Sequence, residues 1–99
     1  MASGVVRSSE LVFLQGTVAT GTIANSSNWY KAISDLVTVP SGYGIVTITP
    51  IIAGSYSTYV DVHIIGLNGD VNDPAVALVN RSGSSVSLTV AIYVIAKKG

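Results

Sequence analysis

The sequence predicts an all-β domain, either a small antiparallel β-barrel or a sandwich, of about six to seven strands. Three observations support this prediction: Val, Ile, Thr, Ser and Gly dominate the chain, apolar and polar residues alternate, and clusters of turn-forming residues recur at short spacing. No stretch follows the 3.6-residue period of an amphipathic helix. We expect one domain over residues 1–99, because a chain of 99 residues is too short for two.

The predicted strands share β-branched or alternating residues and are bounded by Gly, Pro, Asn, Asp and Ser. They cover residues 10–15, 17–23, 35–39, 44–52, 57–65, 75–80 and 85–96. The last predicted strand, residues 85–96, has the clearest alternation of apolar and polar residues. Its otherwise polar face becomes apolar at Ala91, Tyr93 and Ile95, which indicates that this part of the strand lies against another sheet or another subunit.

Charged residues make up 10% of the chain, against about 25% in typical soluble domains, and the five basic and five acidic residues cancel. A neutral chain lacks the basic surface that nucleic acid requires, so we expect no nucleic-acid partner. Low charge with 48% hydrophobic residues predicts that copies of the chain cover part of its surface, because obligate interfaces are more apolar than ordinary surface.

Cysteine is absent, which excludes disulfides, a thiolate nucleophile and a Cys-based metal site. The longest apolar runs are far shorter than the ~20 residues of a membrane-spanning helix, so we expect no insertion into a membrane. The loop with Asp70, Asn72 and Asp73 lacks the closing Glu of a calcium loop, since Glu10 is the single Glu of the chain. We therefore expect no metal and no cofactor.

The segment from Tyr59 to Ile64 carries the candidate site. Successive side chains of a strand point to opposite faces, so Tyr59, Asp61 and His63 project together while Val60, Val62 and Ile64 enter the core. A carboxylate accepts hydrogen bonds from neighbouring hydroxyls, and an imidazole can donate or accept another. This row suits a diol, although a solvated polar face of a sheet is an equally good interpretation.

Two further residues are candidates for binding. Trp29 follows the loop at 25–28 and could stack on the apolar face of a sugar, but a lone Trp in a small β domain is also typical of a core plug or an interface anchor. Arg81 lies at a hairpin tip, where its guanidinium could bind a phosphate or carboxylate, or simply be solvated.

The segments Ser8-Ser9-Glu10-Leu11-Val12-Phe13-Leu14-Gln15-Gly16-Thr17 and Tyr59-Val60-Asp61-Val62-His63-Ile64 resemble the C-terminal head domain of the receptor-binding proteins of lactococcal siphophages. The resemblance covers essentially the whole chain and rests on its overall pattern. It implies a homotrimer of β-barrel heads at the phage tail tip or baseplate, attached to other baseplate proteins through a preceding region, with residues 1–8 as the junction to a neck segment.

The same resemblance implies non-enzymatic binding of host cell-wall saccharide or its glycerol-phosphate groups in shallow pockets. Some members combine a His, an Asp, a Trp and an Arg, and those types occur here as His63, Asp61, Trp29 and Arg81. The family order is His-x-Asp with the Trp downstream, whereas this chain has Asp61-x-His63 with Trp29 upstream. The strand pair of this chain therefore corresponds more directly than Trp29.

Catalysis is not expected. No Gly-x-Ser-x-Gly motif accompanies the Ser, His and Asp residues, and the five acidic residues include no obvious glycosidase pair. The alternative to a receptor-binding head is a structural virion domain, a fibre, capsid or decoration protein, whose apolar surface only holds subunits together.

Overall fold

The computed structural model describes residues 10–54 and 59–99 and confirms the all-β prediction. The described residues form six strands, separated by turns and by short 3-10 helices at Ile33–Asp35 and Leu67–Gly69. The strands are β1 (Leu11–Ile23), β2 (Asn28–Ala32), β3 (Tyr43–Ala53), β4 (Val60–Gly66), β5 (Pro74–Asn80) and β6 (Val86–Lys98). The junction predicted at residues 1–8 lies outside the described residues. In the part that is described, no helix is long and apolar enough to cross a membrane.

The strands make two antiparallel sheets of three strands each. We call β1-β6-β3 the long sheet and β2-β5-β4 the short sheet, in the order in which the strands are hydrogen-bonded. Their apolar faces pack against each other in a small sandwich-like fold, one of the two architectures that the sequence predicts.

The core lies between the central strands of the two sheets. Val76 and Leu78 of β5 face Val90, Ile92 and Val94 of β6, and all five are buried almost completely. The sequence predicts β6 clearly because the alternation of buried and exposed residues continues through most of its 13 residues, with one face wholly buried.

The sequence predicted one strand before Gly16 and another after it, but Gly16 does not divide β1. It lies within one continuous strand of 13 residues and pairs with Ile92. A Cβ at this position would overlap the backbone carbonyl of Leu36, which crosses the inner face of the long sheet. The glycine therefore makes room for the chain that follows β2.

The prediction of a strand at 35–39 is wrong. Asp35 is the last residue of a 3-10 helix, and the residues after it form no strand but pack Val37 into the core. The strand lies earlier, at β2. β2 has only five residues, so its alternation is too short to be recognised against the neighbouring turn.

Ile64, expected in the core, is 39% exposed because β4 is an edge strand with a paired neighbour on one side.

Asn80, the last residue of β5, is a fully buried polar side chain. Its Nδ2 donates to the backbone carbonyls of Ile23, Ala24 and Ser84 at 3.0, 3.2 and 2.9 Å. Its Oδ1 accepts a hydrogen bond from the backbone N–H of Ser82 at 3.0 Å. One side chain thus joins the end of β1, the loop after it and the turn between β5 and β6.

We expect Asn80→Ala to lower the free energy of unfolding by about 2–3 kcal/mol, because the buried carbonyl of Ile23 loses its donor and the bonds that join Ala24 and Ser84 to β5 are lost as well. Urea unfolding followed by circular dichroism measures this change. Asn28→Ala, at an exposed position of β2, is the matched control and should change the value by less than about 0.5 kcal/mol. Equal small losses in both variants would contradict the role given to Asn80.

Candidate functional site

The row predicted on β4 faces solvent. Tyr59, immediately before the strand, is 60% exposed, His63 is exposed and Asp61 is half-exposed. Between them, Val60 is buried and Val62 packs against the core. The two-residue period of β4 therefore separates the polar row from the core as the sequence predicted.

Strand register adds a second aromatic residue to this row. His63 pairs with Ala77 of β5, which pairs with Tyr30 of β2, and directly opposed residues of antiparallel strands share a face. Tyr30 is 61% exposed. Because adjacent strands are about 4.8 Å apart, Tyr30 and His63 stand about 10 Å apart across the small Ala77, which leaves a shallow trough between them.

Arg81 completes the group. Its backbone N–H donates to the carbonyl of Tyr59 at 3.0 Å, which continues the pairing of β4 and β5 beyond Val60 and Asn80. Its side-chain Nε donates to Oδ2 of Asp61 at 2.5 Å. The pair is diagonal across the two strands, since Asp61 is directly opposite Val79.

Both side chains of the ion pair are accessible to solvent. The Arg81 side chain is 67% exposed and that of Asp61 is 47% exposed. A guanidinium carries five N–H donors and a carboxylate has two acceptor oxygens, and this contact uses one of each. The remaining groups can hydrogen-bond a ligand without breaking the pair.

We define the site face as the outer surface of the short sheet formed by Tyr30, Tyr59, Asp61, His63 and Arg81. Four of these residues were predicted from the sequence. Tyr30 was missed, because β2 was not recognised as a strand and so no face could be assigned to its side chains. The adjacent aromatic residues Trp29 and Tyr30, a residue type that favours strands, were the one local signal of β2.

Trp29 lies on the opposite side of the short sheet from the site face. It pairs with Leu78, which pairs with Val62, and it packs partly buried against the core. The structure therefore does not bring Trp29 together with the other predicted residues. Of the three interpretations offered for Trp29, its packing favours the core plug.

A separate cleft of about 740 Å³ opens at the other end of the short sheet. It lies between the segment after β2, the start of β3 and the loop before β5. Its walls are mainly apolar, with Ile33, Val37, Ile48 and Pro74 among them, and Tyr43 lies at its margin. None of the residues of the site face lines this cleft. Because Tyr30, Tyr59 and Arg81 are each at least 60% exposed, the site face is an open surface.

Within residues 10–54 and 59–99, no three His, Asp or Glu side chains cluster in a way that could hold a metal ion. Hydrogen bonding, stacking and ionic contacts are the chemistry that the site face itself offers.

Comparison with protein-family models, with curated proteins and with solved structures finds no match to this chain.

We expect Arg81→Ala to change the free energy of unfolding by less than about 1 kcal/mol, because exposed ion pairs are screened by water. Urea unfolding checks this, and Asp61→Asn should give a similarly small effect. A loss above about 2 kcal/mol in either variant would show that the pair is structural and not available to a ligand.

Proposed function

We propose that this domain is a non-enzymatic receptor-binding head of a phage tail tip or baseplate, homotrimeric, which binds host cell-wall saccharide or glycerol-phosphate groups through the site face. The observation that carries the proposal is the gathering of Tyr30, Tyr59, Asp61, His63 and Arg81 on one exposed side of one sheet. The resemblance of the sequence to phage receptor-binding heads supports the same class of ligand.

Each residue type of the site face has a role in binding a polyol. Asp61 accepts hydrogen bonds from neighbouring hydroxyls, and His63 donates or accepts at a third position. Arg81 binds a phosphate through the N–H groups that Asp61 leaves unused. Tyr30 and Tyr59 present aromatic faces to the C–H surface of a sugar or a glycerol unit.

An open surface of this kind binds weakly in a single copy. It buries less of a ligand than an enclosed pocket does, and its hydrogen bonds replace equally good bonds to water. Repetition compensates for this: three sites in a trimer, and many trimers on a virion, raise the effective concentration of the ligand after the first contact.

The second candidate is a structural virion domain of a fibre, capsid or decoration protein. The observation that favours it is the exposed apolar surface on the other side of the sandwich, where Phe13 is 70% and Ile51 52% exposed. That surface accounts for association but gives no reason for the polar and aromatic groups gathered on the site face.

Titration of the isotope-labelled full chain with glycerol phosphate and with host cell-wall fragments separates the two candidates. We expect amide shifts at Tyr30, Asp61, His63 and Ala77. Tyr30→Ala and His63→Ala should each weaken binding about 3- to 10-fold, as expected for loss of one stacking or hydrogen-bonding contact. Unfolding curves of the variants show whether each remains folded.

Tyr43→Ala is the control, because Tyr43 lies at the cleft and away from the site face. Its affinity should equal that of the unaltered chain. Shifts that map to Ile33, Tyr43 and Val71 would move the ligand to the cleft and contradict the proposed site. The absence of any shift with either ligand would favour the structural candidate.

A further inference from the structure

The outer side of the long sheet carries large apolar side chains in neighbouring positions. Phe13 of β1 pairs with Ile95 of β6, and two residues along β6 the exposed face continues through Tyr93 and Ala91. Ala91 in turn pairs with Ile51 of β3. Phe13, Ile51 and Tyr93 are 70%, 52% and 41% exposed.

This outer side is also free of charge over most of its length. β1 and β3 contain no charged residue, and those of β6 are Lys97 and Lys98 at its end. The short sheet, its 3-10 segment and its loops carry Lys31, Asp35, Asp61, Asp70, Asp73 and Arg81. The outer side of the long sheet also carries uncharged polar residues, namely Gln15, Thr17, Thr47, Thr49 and Thr89. A sheet face in contact with water normally carries charged residues as well, so the absence of charge from β1 and β3 indicates that the long sheet is the side that is covered.

We propose that the outer face of the long sheet, formed by Phe13, Ile51, Ala91, Tyr93 and Ile95, is the surface through which copies of this chain associate. Further copies of the chain fit because an uncharged face brings no like charges together when several copies of it meet around a symmetry axis. The small Ala91 lies opposite Ile51 and two residues from Tyr93. It leaves a depression into which the side chains of another sheet can pack, at the sheet separation of about 10 Å.

The size of the face is near that of a stable interface. Three strands about 4.8 Å apart and 13 residues rising about 3.4 Å each give a projection of roughly 14 by 44 Å, or about 600 Å². Protruding side chains add accessible area to that projection. Stable interfaces bury about 800 Å² on each partner, so a second copy can cover enough of this face to hold it.

Association through the face agrees better with the structure than association through the edges of the long sheet. Pro50 lies inside the edge strand β3 and has no backbone N–H, so a further strand cannot pair continuously along it. β3 also has a register irregularity between Ile45 and Thr47, and β1 has one between Ala19 and Thr22. Such irregularities are typical of edges that resist pairing with other chains.

The inference rests on the proposed function only for the existence of a homo-oligomer. Because the two sheets face each other across the core, packing the long sheets together directs every site face outward. The saccharide surface then stays open in the assembly, whatever the number of copies.

Light scattering coupled to size-exclusion chromatography tests the proposal on the full chain over a range of concentrations. We expect the unaltered chain to have the mass of several copies. Phe13→Asp and Ile51→Asp should each weaken association by about 30-fold or more, as for loss of an interface anchor. Both positions are exposed, so the substitutions should leave the fold intact, and circular dichroism of each variant checks this.

Val71→Asp is the matched control, since Val71 is 87% exposed on the loop before β5 and lies outside the long sheet. Its mass should equal that of the unaltered chain. A monomeric unaltered chain, or Phe13 and Ile51 variants that keep the full mass, would overturn the proposal. Dissociation caused by Val71→Asp would also overturn it, because the interface would then lie elsewhere.

Saccharide titration of the monomeric Phe13→Asp variant separates this inference from the proposed function. We expect amide shifts on the site face with the same affinity per site as in the assembled chain. If the variant dissociates but neither form binds saccharide, the proposed ligand is wrong and the association surface stands. If saccharide binds but the mass does not change, the association surface is wrong and the ligand stands.

Discussion

The buried amide of Asn80 is the interaction on which the site face depends. Its side chain joins β1, the loop after β1 and the turn before β6, and its backbone bonds to Ser26 and Ser27 ahead of β2. Asn80 also pairs with Val60, and this fixes the register in which Arg81 meets Tyr59 and Asp61. A polar group fully removed from water persists here because each of its hydrogen-bonding atoms has a partner.

The register set in this way divides the chemistry of the chain between two surfaces. The site face gathers an ion pair, an imidazole and two phenols, while the outer face of the long sheet carries large apolar side chains and uncharged polar ones. A sandwich keeps two such outer faces apart because the core lies between them. The low charge of the chain thus reflects one uncharged face rather than a uniformly apolar surface.

The sequence allowed β3 and β6 to be predicted because β-branched and alternating residues continue over 11 and 13 residues, whereas Gly16 divided the prediction of β1. β6 and the inward and outward sides of β4 at Val60 to His63 follow from this period alone. β2 could not be predicted in the same way, since five residues beside a turn give little periodicity, and its pairing with β5 decides where Trp29 and Tyr30 point. The tertiary contacts of Gly16 with Leu36 and of Asn80 with Ile23 join residues far apart in sequence, so no local pattern reveals them.

Hydroxyl-radical footprinting with mass spectrometry tests the division into two faces most directly, because one measurement on the unaltered chain reports both. At concentrations where copies associate, we expect rapid oxidation of Tyr30 and His63 and protection of Phe13 and Tyr93, with Phe13 becoming reactive on dilution. Equal reactivity of Phe13 and Tyr30 at every concentration, or protection of Tyr30 in the assembly, would contradict the division into two faces.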